Sequence, residues 1–287
     1  MAAYNGPEPV SRRVGDVELI ALLDVTLNCE SSDLAAGVPI EELHDRYPHV
    51  VSSEGKWPLA VTCYVLRSMG ATIIVDTGVG NRLLDGMPCG ELDRALALVG
   101  ISVGDVDYVV ISHLHIDHVG WNTINDDDRN VLIFFPNAKY LVNRAEWEST
   151  MSPEEFAQPW NHHLTMTALP LEREERLELV EPGYQVTEEV SLVSAPGHTA
   201  GHVAVRIVSG SERATIIGDA CIYTEQLTHP EWHSVWDSDA AVASLTRSEL
   251  FESLVDDPDH LVVAGHWPYP GIGHVIRTAE GLAFRPA

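Results

Sequence analysis

The sequence predicts an α/β or α+β domain, a sheet core with helices packed outside it. Short apolar runs, many of them β-branched and most closed by Gly, Pro, Asp or Asn, recur along the chain as strands do. A few segments between them carry helical spacing instead. With 287 residues, 45% of them hydrophobic and 21% charged, the chain is long and apolar enough to enclose such a core without staples.

In chain order, strands are expected near Val17–Leu23, Val61–Leu66, Thr72–Val75, Tyr108–Ile111, Tyr140–Val142, Ser191–Val193, Val203–Val208, Thr215–Ile217 and Leu261–Ala264. Leu92, Ala95, Leu96 and Val99 form one helical stripe over Glu91–Val99, with Gly100 as the stop. A second helix fits Ala240–Leu254, with Ala241, Leu245, Leu250 and Leu254 near one face. Arg144–Thr150 and Pro153–Trp160 read as short helical pieces. No repeat, low-complexity tract or Ser/Gly linker divides the chain, so residues 1–287 are expected to form one domain. Asn28–Pro58 and Trp121–Pro136, the latter with the acidic run Asp126–Asp128, resist a regular reading; such stretches are pocket walls or lids, or else plain surface loops.

Charge narrows the function. Forty-three acidic residues against 17 basic ones give a net charge of −26, which repels phosphate backbones and anionic lipid; no nucleic-acid or membrane role is expected. No run of 18 apolar residues occurs, and the first residues lack the apolar stretch of a signal peptide. Cys29, Cys63, Cys89 and Cys221 form no CxxC pair and read as reduced thiols, which fits a cytoplasmic protein.

One segment dominates the chemistry. The apolar strand Val109–Ile111 runs into His113, His115, Asp117 and His118, an H-x-H-x-D-H run. Imidazole and carboxylate are the ligands that suit zinc and similar divalent ions. On an extended segment His113 and His115 project to one side, and a turn after them presents Asp117 and His118 to a second position nearby. That arrangement suits two metals in one pocket. Three further strand ends carry potential ligands: His198 after Ala195-Pro196-Gly197, Asp219 after Gly218, and His266 after Gly265. The glycines before Asp219 and His266 let the backbone approach the site closely.

H-x-H-x-D-H, then P-G-H-T-x-G-H at Pro196–His202, then Gly218-Asp219 and a late Gly265-His266, resembles the metallo-β-lactamase-fold hydrolases. The resemblance runs from the strand before Asp76-Thr77-Gly78 to His266. It implies an α+β fold, an αββα sandwich of two mixed sheets flanked by helices, with the metals at one edge. It further implies that His113, His115 and His198 hold one metal, that Asp117, His118 and His266 hold the other, and that Asp219 bridges them. Asp76 resembles the family's structural aspartate, which braces the metal loop without ligating. His118-Val119-Gly120 lacks the double glycine of the glyoxalase II thioesterases, and neither a basic RNA-processing arm nor a flavin domain is expected. HLHIDHVGWNT, FPNAKYLVNRAEW, APGHTAGH and the late GHWPYPG look most like the lactonase and organophosphate-hydrolase branch. Quorum-quenching lactonases of that branch carry a tyrosine shortly after the bridging aspartate; Tyr223 stands one position later than that pattern and either assists the reaction or packs the pocket wall.

The expected activity is therefore that of a dinuclear-metal hydrolase whose bridging hydroxide opens a lactone or cleaves a carboxylic ester. Asp117 would carry the proton to the leaving group, and Tyr223 would help to hold the oxyanion. The alternatives are phosphotriester or aryl-ester hydrolysis, then β-lactam hydrolysis or iron-dependent thiol oxidation. Zinc fits the donors best, with manganese, cobalt or iron as substitutes. The partner is a small ester or lactone, with Trp57, Trp121, Trp160, Trp232 and Trp236 as candidate pocket walls. The 28–58 segment would cover the pocket or serve a homodimer contact. His202 either orients a ligand or packs beneath the loop, His162 and His163 are surface or pocket-lining groups, and Cys221 is an inert buried thiol.

Overall fold

Leu19, Ile20, Ala21 and Leu22 are consecutive and all buried, which demands a strand covered on both faces. The computed structural model, which describes residues 4–82, 88–126, 128–255, 257 and 259–287, supplies both covers. Its first sheet contains β1 (Val10–Val14), β2 (Val17–Glu30), β3 (Lys56–Ser68), β4 (Ala71–Val75) and β5 (Tyr108–Ile111). A small hairpin of β6 (Thr123–Asn125) and β7 (Val131–Ile133) stands apart, and the first sheet then resumes with β8 (Lys139–Asn143) and β9 (Leu177–Val180). The second sheet comprises β10 (Val190–Ser194), β11 (Val203–Ser209), β12 (Glu212–Ile216), β13 (His260–Val263), β14 (Ile272–Thr278) and β15 (Gly281–Pro286).

The first sheet runs in the order β1-β2-β3-β4-β5-β8-β9, antiparallel as far as β4 and parallel beyond it. The second follows chain order, with β12 and β13 as its parallel pair. Alternation sorts the side chains: Leu19, Ala21, Leu66, Val75 and Val110 meet Leu192, Val205, Ile207 and Ile216 between the sheets. Ile20, Leu22, Val65, Val109 and Ile111 face the opposite way, onto Leu92, Ala95 and Leu96 of the 92–98 helix. On the far side Ile217, Val262 and Ala264 are covered by Phe251 and Leu254 of the 240–254 helix. Two mixed sheets between helical layers make the αββα sandwich of the α+β class.

Several expectations need correction. Asn28–Pro58 is not irregular at its ends, because β2 and β3 stay paired out to Glu30 and Lys56. Between those ends lie the short helices Ser31–Leu34 and Ile40–Arg46, whose Leu34 and Leu43 pack with Trp57, Ile222, Tyr223 and Trp232. Trp121–Pro136 includes the β6–β7 hairpin, while Asp127 of its acidic run lies outside the described residues. Pro153–Trp160 splits into a helix at Pro153–Phe156 and a 3-10 turn at Pro159–Asn161. β1, β9, β14 and β15 are not among the expected strands; β1, β9 and β15 are edge strands, β14 lies next to an edge, and all four carry polar residues among the apolar ones.

The 240–254 helix also turns a different face inward: Ala243, Arg247, Phe251 and Leu254 are buried, whereas Leu245 is exposed. Its apolar residues are spread around the axis, so spacing alone selects the wrong stripe, and a buried arginine occupies the centre of the real one.

Asp24, on β2, joins three segments beside the site. Its carboxylate accepts from the amides of Val79 and Leu92 (both 2.8 Å) and from the indole N–H of Trp121 (2.9 Å). Replacing it by alanine strands three buried donors, each worth about 1–3 kcal/mol. We expect Asp24→Ala to lower urea stability by about 3 kcal/mol or more, and Asp24→Asn to lower it less. A wild-type urea midpoint for Asp24→Ala would show the anchor to be dispensable.

Candidate metal centre

Four loops leave the sandwich at strand ends and bring their donors together. His113 follows β5, His198 follows β10, Asp219 follows β12 and His266 follows β13. Gly218 sits at φ +52°, and a Cβ there would come within 2.5 Å of His202 Nε2. At Gly265 an added Cβ would press on the Thr62 carbonyl at 3.2 Å. The close approach at Gly218 is to a side chain that holds the Asp219 backbone, whereas that at Gly265 is to β3.

The seven expected donors form overlapping groups: His113, His115 and His198; His113, His118 and Asp219; Asp117, His118 and His266. In each group the ligand atoms lie within 4.8 Å of one another. Asp219 stands between two clusters. Its Oδ2 is 3.3 Å from His198 Nε2 and 3.9 Å from His113 Nε2, while its Oδ1 is 3.4 Å from His118 Nε2 and 3.3 Å from His266 Nε2. Asp117 faces the second cluster, 3.7 Å from His118 Nε2 and 3.4 Å from His266 Nε2. His115 and Asp117 are half-buried; the other five are buried.

Outer hydrogen bonds turn the lone pairs inward. The Nδ1–H groups of His118, His198 and His266 donate to Asp76 Oδ2 (2.9 Å), Asp237 Oδ1 (2.8 Å) and the Ala60 carbonyl (2.6 Å). Each leaves an Nε2 lone pair facing the centre. His118 and His266 then oppose Nε2 to Nε2 at 3.3 Å, and His115 Nδ1 lies 3.0 Å from Nε2 of both His113 and His198. Asp219 Oδ1 is buried without a hydrogen bond. Converging lone pairs around an orphaned carboxylate oxygen are what a cation satisfies.

The electrostatics agree. Burial, then the neighbouring imidazoles, hold His113 well below the ordinary histidine range. At His118 burial works the same way, but Asp219, Asp117 and Asp76 outweigh it and hold the ring well above that range. His266 is raised against burial by Asp219 and Asp117. Asp219 is driven well below the carboxylate range, burial being overcome by His266, His118 and His198. The second cluster thus draws positive charge, and five imidazoles with two carboxylates fit a pair of divalent cations.

The bracing residues fall into two groups. Asp76, at φ +58°, accepts from the Ser112 amide (2.7 Å) and hydroxyl (2.8 Å) as well as from His118, bracing the metal loop. His202 donates Nδ1–H to the Ala195 carbonyl and accepts the Asp219 amide on Nε2 at 2.9 Å, so it fastens the backbone at Asp219. Two bracing carboxylates escape sequence reasoning. Asp237 meets His198 across 39 positions of sequence. Glu146 accepts from the Leu114 and Gly201 amides and the Thr199 hydroxyl, tying the His115 loop to the His198 loop. No local spacing announces either.

Other candidates lie elsewhere. Tyr223 belongs to none of the donor groups; it packs on Trp57 with ring centroids 4.6 Å apart, and its buried hydroxyl has no hydrogen-bond partner. Trp232 shares that apolar cluster, whereas Trp121 lies in the core beneath the first sheet and Trp160 is 61% exposed. His163 is no surface group: it is buried, with Nε2 3.0 Å from the Leu114 carbonyl. The Cys221 thiol is fully buried and pushed up to about 12 by that burial.

Residues 57–266 match the metallo-beta-lactamase superfamily. An N-acyl homoserine lactonase of Bacillus cereus is 27% identical over 246 residues, covering 79% of this chain and 86% of its own. The N-acyl homoserine lactonase AiiA of Bacillus thuringiensis subsp. kurstaki is 26% identical over 226 residues, covering 72% and 81%. Among solved structures, the hydrolase AbOPH of the beta-lactamase superfamily superposes with a TM-score of 0.86 at 22% identity over 99% of both chains. AidC, a dizinc quorum-quenching lactonase, superposes with a TM-score of 0.80 at 23% identity over 98% of this chain and 97% of its own. These likenesses in structure show the same fold. Since the superfamily match takes in both sheets' central strands and every loop that carries a donor, the chain belongs to the metallo-beta-lactamase superfamily and is a hydrolase of that group.

Proposed function

We propose that this protein is a dinuclear-metal hydrolase that opens lactones bearing an apolar chain, with zinc as the fitting ion. The observation that carries the reading is the division of Asp219 between two clusters of inward-facing imidazole lone pairs. His113, His115 and His198 would hold one ion, Asp117, His118 and His266 the other, with Asp219 shared. Two such ions supply Lewis acidity and a water acidic enough to ionise near neutral pH.

The protein's own groups do the rest. Asp117 is the half-buried carboxylate, so it meets both the cluster and an entering substrate. Its oxygen takes the proton released on attack and hands it to the leaving alkoxide. The Tyr223 hydroxyl, free of any protein acceptor, donates to the carbonyl oxygen as negative charge builds there. Trp57, Ile222, Tyr223 and Trp232, backed by the helices of the 28–58 segment, form an apolar wall that suits an acyl chain and keeps water from the ester. The curated relatives named as N-acyl homoserine lactonases support the choice of substrate class.

Three outcomes are expected. Metal analysis of purified protein gives two ions per chain, and Asp219→Ala loses metal and turnover together; normal turnover by that variant ends the two-metal scheme. An N-acyl homoserine lactone is hydrolysed faster than a nitrophenyl ester or a dialkyl aryl phosphotriester; a preference for the triester reassigns the substrate. Tyr223→Phe keeps its metal while kcat falls by about 100-fold or more, the usual effect of removing one oxyanion donor. An unchanged kcat leaves Tyr223 as pocket wall alone.

A further inference from the structure

Among the described residues, Arg247 is the one Lys or Arg buried completely. It lies mid-way along the 240–254 helix, where a methionine would fill the space with far less desolvation. Its donors reach one loop. Nε donates to the Ala220 carbonyl at 2.9 Å, and Nη1 donates to the carbonyls of Pro230 (2.6 Å) and Trp232 (3.0 Å). Nη2 makes no hydrogen bond and faces Asp237 Oδ2 at 3.8 Å.

The ends of that loop touch the metal centre. Ala220 follows Asp219 directly. Asp237 holds His198 through Oδ1 and accepts the Ser234 amide on Oδ2 at 3.2 Å. Beyond Asp237, the amides of Ser238 and Asp239 bond to the carbonyls of His198 and Gly197. The Asp237 side chain is fully buried, and among the described residues the Arg247 guanidinium is the Lys or Arg group that faces it.

We propose that Arg247 is a positioning residue of the metal centre: its guanidinium clamps the Ala220–Asp237 loop at both ends, so that Asp219 and His198 are held in register with each other. This rests on the two-metal reading above. The clamp fixes Asp219 through the Ala220 carbonyl and fixes the His198 ring through the Asp237 carboxylate. It acts before any substrate arrives and touches none itself.

The test uses Arg247→Met, Arg247→Lys, Asp237→Asn and the Arg247→Met/Asp237→Asn double variant, with two readouts. In chelator competition, zinc affinity is expected to fall about 10- to 100-fold in each single variant, the usual effect of losing an outer partner of a ligand. The double variant is expected to lose less than the two single losses combined, because the arm that runs through Asp237 to His198 is common to both. In zinc-free protein, the proton NMR signal of the His198 Nδ1–H donated to Asp237 is expected to shift or vanish in Arg247→Met, and Arg247→Lys, which keeps the charge without the fork, recovers it only in part.

Wild-type zinc affinity in the folded arginine variants, together with an unmoved His198 proton, overturns the clamp even if their urea midpoints drop. Additive losses in the double variant also overturn it. Wild-type protein that binds no zinc overturns the two-metal reading instead, and the zinc-free proton signal then decides the clamp by itself. Should Arg247→Met fail to fold, Arg247→Lys and Asp237→Asn decide the clamp through the same two readouts.

Discussion

Five imidazoles and two carboxylates converge in a largely buried space, and three of the rings turn an Nε2 acceptor toward the centre. Asp76, Asp237 and the Ala60 carbonyl impose this by taking the outer protons of His118, His198 and His266. Leaving polar groups buried and unpaired costs several kcal/mol apiece in an apolar setting. The centre is therefore built for cations and is the least self-sufficient part of the molecule. What surrounds it exists to keep those lone pairs aimed.

The sandwich supplies the rigidity. β5, β10, β12 and β13 are pinned between apolar layers, and each gives way to a donor-bearing loop. A site hung on strand ends inherits the precision of the core, and a short loop can be fastened by a single buried carboxylate. Asp24, Asp76, Glu146 and Asp237 are such fasteners, each accepting hydrogen bonds from other parts of the chain. The 28–58 segment extends the same logic outward. Its helices share a small core with Tyr223 and Trp232, and the backbone links Ala36 to His233 and Val235 to Asp33, so the wall after Asp219 is braced from both sides.

Much of this is legible in the residues alone, for a reason particular to the chemistry. H-x-H-x-D-H compresses four donors into six residues, and few structural needs produce that density. Strands covered on both faces read as unbroken apolar runs, so the central strands stand out and the half-polar rim strands do not. The 240–254 helix misleads because its exposed Leu245 looks like core and its buried Arg247 looks like surface. Arg247 is tolerated inside only because carbonyls of a loop lying 15 to 27 positions earlier converge on it, and periodicity cannot register that.

By itself the sequence determined which atoms are available as donors and that they follow strands, since ligand chemistry and side-chain alternation are local properties. The tertiary structure alone decided which nitrogen of His118, His198 and His266 faces inward, how the two oxygens of Asp219 are placed between the clusters, and that His202 and Asp237 hydrogen-bond to the donor segments. Those outcomes depend on hydrogen bonds between segments far apart in the chain, and such partners exist only once the two sheets have packed.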